Sequence, residues 1–171
     1  MDVMPILPET EVEAAAALHL GRLLFVFGRL ELDLGLALVN AQPAQDAERE
    51  TARIGQLGFG EKLDEFETLV LPLHAADAPL LARWQRWFKA ARALRKLRDD
   101  FARGRWGFQN LQQQIVHVTT LPGSPEPDEV RYTLAGFAAR VAEAEDVAEE
   151  LCALLASHPF GPCHQSVTKP S

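Results

Sequence analysis

The sequence predicts a mainly α protein, an up-and-down bundle of four to five helices with a small β-hairpin before the last one. Three observations carry this. Long stretches repeat their apolar residues at helical spacing. Only Ile115-Val116-His117-Val118-Thr119-Thr120 is β-branched, and strong turn chemistry follows it in Leu121-Pro122-Gly123-Ser124-Pro125. Finally, 171 residues with 47% hydrophobic and 24% charged content match an average globular chain. A chain of this length buries a core without disulfide or metal support. Two cysteines, Cys152 and Cys163, are too few for a disulfide scaffold or a structural zinc site.

The first helix opens at Thr10-Glu11-Val12-Glu13, a capping-box pattern, and runs to about Ala41 without a proline. Leu20, Leu23, Leu24, Phe27, Leu30, Leu34 and Leu38 form a broad apolar face. Phe25, Val26, Leu32, Leu36 and Val39 carry it around most of the circumference, as in a central bundle helix. Arg22, Arg29, Glu31 and Asp33 argue against a membrane span. Gly21, Gly28 and Gly35 recur at heptad spacing, a stripe suited to close approach of another helix. That helix could belong to the same chain or to a second subunit.

A second helical segment covers about Asp46 to Leu71, interrupted near Gly58-Phe59-Gly60, and Pro72–Pro79 reads as a linker. The third long helix spans about Leu80 to Ala102, with Asp77 as N-cap and Gly104 beyond its end. The hairpin pairs the β-branched run with Val130–Thr133, and a final helix covers about Leu134 to Ala156. The domain limits are thus a tail at 1–9, a helical domain at 10–157 and a loose C-terminal tail at 158–171. Met1 to Glu9 has no basic region before an apolar stretch, so no secretory signal is expected and the expected location is cytoplasmic.

The net charge is −7, which taken alone disfavours general nucleic-acid binding. Its distribution says more. Nine of the 17 basic residues lie between Arg83 and Arg105, opposed only by Asp99 and Asp100, a local charge of +7 in a remainder of −14. Such a band is either the solvated face of a helix or a site for phosphate groups.

On the third helix Leu80, Trp87, Ala91, Leu94 and Phe101 make one apolar face, and Arg98 falls in the middle of it. Glu31 interrupts an apolar row of the first helix in the same way. A buried charge needs a partner, so the sequence pairs Glu31 with Arg98. No glycine-rich nucleotide loop, nucleophile elbow or zinc-protease pattern occurs, which disfavours conventional hydrolases and oxidoreductases. His158, Cys163 and His164 make only a weak metal triad, and neither metal nor cofactor is expected.

The run Leu94-Arg95-Lys96-Leu97-Arg98-Asp99-Asp100-Phe101-Ala102-Arg103-Gly104-Arg105-Trp106 resembles the signature of HEPN-like domains. These are bundles of four or five helices, often dimeric, and many are metal-independent RNases. Their motif is an arginine, a polar residue, a short variable run and a histidine commonly followed by glycine. Arg98, Asp99 and Gly104 match it, while Arg103 stands where the histidine belongs. The resemblance implies a catalytic set of Arg98, Asp99 and a degenerate Arg103, which Glu31 joins as the expected partner of Arg98, and with the basic band it gives a phosphate-binding set of Arg95, Arg98, Arg103 and Arg105. It also implies a homodimer that brings two motif regions into one cleft. An arginine holds phosphate but cannot cycle a proton near neutral pH. The expected function is therefore RNA or phosphate binding with weak or lost metal-independent endoribonuclease activity. His117 is the one substitute base worth testing. The alternative is a non-catalytic dimeric interaction or regulatory module with a protein partner. Neither reading places the chain in a membrane.

Overall fold

A computed structural model describes residues 9–43, 46–109, 112, 114–120, 128–156, 158 and 160. The protein is mainly helical, with a three-stranded antiparallel sheet before the last helix. The elements run α1 (Glu9–Asn40), α2 (Ala47–Gln56), α3 (Phe59–Leu73), α4 (Ala78–Phe101), β1 (Arg105–Gln109), β2 (Gln114–Val118), β3 (Glu129–Thr133) and α5 (Leu134–Ala156). No helix among the described residues is long and apolar enough to cross a membrane.

Local chemistry sets the boundaries. The Gly58 N–H donates to the Glu61 carboxylate at 2.8 Å, starting α3 after the break the glycines announce. Asp77 caps α4, accepting from the Leu80 N–H at 3.1 Å. Thr133 does the same for α5, its hydroxyl accepting from the Gly136 N–H at 3.0 Å. The expected linker at Pro72–Pro79 shrinks, because Pro72 lies within the last turn of α3 and Pro79 within the first turn of α4. Proline is tolerated at a helix start, where its missing N–H would have no intrahelical partner. α1 starts at Glu9, one residue before the expected cap, and the Thr10 side chain of the expected capping box lies outside the described residues.

The chain divides into two compact units, one of residues 1–25 and 96–145, the other of 26–95 and 146–171. In the first, the sheet order is β1-β2-β3. The hairpin expected between β2 and β3 is present, with Ile115 opposite Tyr132 and His117 opposite Val130. β1 was not expected, and it pairs Trp106 with His117 and Phe108 with Ile115. Ile115, Val116 and His117 of the central strand are buried, as are Phe101 and Phe137. Phe101 stacks on Phe137 with centroids 5.1 Å apart, and Trp106 packs edge-on against both.

The core of the second unit is built on Leu30, Leu34 and Leu38 of α1, Leu63 and Phe66 of α3, Trp84 and Phe88 of α4, and Leu151 and Leu154 of α5. Trp87 donates its indole N–H to the Val147 carbonyl at 2.9 Å. Arg83 grips both oxygens of Glu150, which holds that carboxyl below the usual carboxylate range. The tail expected to be loose from His158 is anchored at its start. His158 and Phe160 are buried, and the Phe160 carbonyl accepts from the Asn40 amide at 2.9 Å. α1 also departs from expectation: Leu18, Leu24, Phe25, Leu32 and Leu36 are exposed on a helix whose apolar circumference pointed to full burial.

Candidate phosphate-binding site

The motif residues occupy the turn where α4 gives way to β1. The last helical carbonyls are closed by Ala102 N–H to Arg98 O at 2.9 Å and Arg103 N–H to Asp100 O at 3.2 Å. The Arg103 carbonyl meets the His117 Nε2 at 2.6 Å, with the ring N–H donating. Gly104 then reverses the chain at φ +85°, the left-handed region that favours glycine. A Cβ at this position would also collide with the Val118 carbonyl oxygen. The trailing glycine of the motif thus has a structural reason independent of any resemblance.

Arg98 sits half-buried and forms an ion pair with Asp99, Nη2 to Oδ1 at 2.7 Å. Lys96 pairs with Asp100 one helical turn on, and that hydrogen bond holds the ammonium protonated above its ordinary range. Arg103 and Arg105 flank the glycine turn on its exposed side, and neither makes an ion pair among the described residues. The cation band seen in the sequence is therefore much less positive in three dimensions. Arg92 is matched by Asp64 and Glu67 at 2.7 and 2.6 Å, and Arg83 by Glu150. Among the described residues, the two arginines around Gly104 have no such partner.

The expected pairing of Glu31 with Arg98 is replaced by a lysine. The Glu31 carboxylate is held by Lys62, Nζ to Oε1 at 3.1 Å, within the second unit. The lysine was legible, since Lys62 interrupts the α3 row of Phe59, Leu63 and Phe66 just as Glu31 interrupts its own row. Arg95 also belongs to that unit, where its guanidinium lies against Gly60. Of the expected phosphate set, Arg98, Arg103 and Arg105 fall within one unit and Arg95 does not.

His117 is no substitute base at this turn. Its residue is buried, its Nε2 is engaged by the Arg103 carbonyl, and its ring stacks on Trp106 at 4.1 Å and 23°. It ties β2 to the end of α4. Arg98, Arg103 and Arg105 carry guanidinium forks of the kind that suit phosphate oxygens, and no histidine other than the engaged His117 lies at this turn among the described residues. No cluster of three metal-ligating side chains occurs among the described residues, and Cys163 and His164 lie outside them.

No protein-family model, curated protein or solved structure matches the chain.

Proposed function

We propose that the protein is a HEPN-like helical protein that binds RNA phosphates at the turn between α4 and β1, with metal-independent cleavage weak or lost. The observation that supports this reading is the pair of exposed arginines, Arg103 and Arg105, on either side of Gly104 and without ion-pair partners among the described residues, beside the Arg98–Asp99 pair. Other cations of this acidic chain, Arg53, Arg83 and Arg92 among them, are held by carboxylates, whereas these two sit together at one turn. The weakness of cleavage follows from chemistry. Arginine stays protonated, and His117 is sealed beneath the turn. A homodimer with two such turns in one cleft completes the reading that the resemblance implies.

Fluorescence anisotropy with a labelled single-stranded RNA at two salt concentrations tests it. Three arginine contacts give a log–log salt slope of about −2, and each Arg→Ala change at 98, 103 or 105 reduces it by about 0.7. Incubation with mixed RNAs in EDTA should show little cleavage, and Arg103→His should raise it by returning a titratable group to the motif. No binding at low salt, or binding indifferent to all three alanines, would overturn the proposal. Robust cleavage by the wild-type chain would overturn its second half.

A second reading, a non-catalytic interaction module, is favoured by one feature, the exposed apolar face of α1.

A further inference from the structure

The outer face of α1 carries a pattern that the fold of its own chain does not use. Ala16, Leu23, Leu30 and Ala37 turn inward and are buried. On the opposite side, Leu18 is 64% exposed, Phe25 83% and Leu32 54%, one heptad apart, with Leu24 and Leu36 beside them. Between these large residues fall Gly21 and Gly28. A Cβ added to either glycine would meet nothing within 4 Å among the described residues, so nothing there requires a glycine at either position. Glycine is the poorest non-proline residue for a helix interior, which leaves both positions without an internal reason. Gly35, by contrast, lies against Ile54 and Lys62, and the open stripe ends there.

Alternation of large residues and open glycines at heptad spacing is self-complementary in one orientation only. Two parallel copies would set Phe25 against Phe25 and Gly28 against Gly28, alternating crowded layers with empty ones, which close packing disfavours. Two antiparallel copies instead set the large residues Phe25 and Leu32 over the open glycines. We propose that α1 forms an isologous interface with α1 of a second copy, antiparallel about a two-fold axis near residues 26 and 27. Phe25 seats over Gly28 of the second copy and Leu32 over Gly21 of the second copy, and the two-fold repeats both contacts. The occupant is a second copy because the same helix supplies both the knobs and the slots.

The area agrees. The five exposed side chains offer about 500 Å² of apolar surface per helix, at the upper end of the largest patch on an ordinary monomer, a size that is often functional. Two copies bury about 1,000 Å² between them, the threshold of a specific interface. One feature opposes the pairing, because Arg22 of one helix passes Arg29 of the other. Arg22 already carries a counter-charge from Glu145 at 2.7 Å, which lowers that cost. The inference rests on α1 alone and stands whether or not the turn between α4 and β1 binds RNA.

Sedimentation equilibrium on the full chain tests it, with circular dichroism to confirm folding. The wild type should be a dimer at micromolar concentration. Phe25→Lys and Gly28→Leu should each weaken dimerisation by roughly 100-fold, as for central anchors of an interface, while leaving helix content unchanged. Gly28→Leu is the decisive variant, since it adds apolar surface and helix propensity yet fills the slot. Orientation is read by spin labels on Leu18→Cys in a Cys152→Ser, Cys163→Ser background. Antiparallel pairing places the two labels about 27 Å apart, whereas parallel pairing places them side by side. A monomer at about 100 µM, a dimer indifferent to both substitutions or labels side by side would overturn the proposal.

Discussion

Removing the charge from Glu31 should destabilise the protein more than removing it from Lys62, although the two face each other across one ion pair. The lysine side chain is 10% exposed and the glutamate 32%. Glu31→Gln strands an ammonium that has almost no water to turn to. Lys62→Met keeps the apolar stem, whose Cε lies 4.0 Å from where a Gly35 Cβ would stand, and leaves a carboxylate that can swing into solvent. Breaking fully buried pairs costs 3–5 kcal/mol and breaking exposed ones 1 kcal/mol or less. The geometry here lies between, so Glu31→Gln should cost about 2–3 kcal/mol and Lys62→Met about 1 kcal/mol. The double variant strands no charge and should cost less than the sum of the two, with a coupling of about 1–2 kcal/mol. Urea unfolding followed by helix ellipticity measures all four corners of the cycle. Thermal melts should fall by about 2–4 °C per kcal/mol for a chain of this length. A coupling below about 0.3 kcal/mol would mean the pair is only a surface contact, and a larger loss from Lys62→Met would reverse the burial argument.

Two further predictions concern other parts of the fold. Burial, and then the neighbouring His74, push the His158 imidazole below its ordinary value of 6.5, so the unfolded chain binds the proton more readily. Its contribution to stability is complete above about pH 6.5 and is lost as the pH falls through the folded-state value. Urea midpoints between pH 7.5 and 5 should therefore drop more steeply in the wild type than in His158→Phe, and parallel curves would remove this argument. At the turn after α4, Gly104→Ala forces a side chain into positive φ and against the Val118 carbonyl. It should cost at least about 2 kcal/mol and lower RNA affinity with it, whereas an unchanged urea midpoint would show that the turn relaxes freely.

The elements that proved legible in the sequence are those decided within a few residues along the chain. The Leu134–Ala156 helix follows from its apolar period, the Asp77 cap from a side chain three residues before its donor, and the break between α2 and α3 from Gly58 and Gly60. β1 was not legible, because Arg105-Trp106-Gly107-Phe108-Gln109 has no β-branched residue, and only pairing with β2 makes it a strand. The site was half legible. Arg98, Asp99, Arg103, Gly104 and Arg105 form one continuous run, but that His117 lies sealed beneath it depends on a strand more than ten residues away. Nor does a charge in an apolar row say which partner will reach it. Glu31 found Lys62, and Arg95 found its place against Gly60, through packing between helices. α1 shows the limit most clearly. Its composition demands burial on nearly every side, yet the neighbouring elements of one chain cover only part of its circumference, so which apolar face stays open is settled by tertiary packing alone.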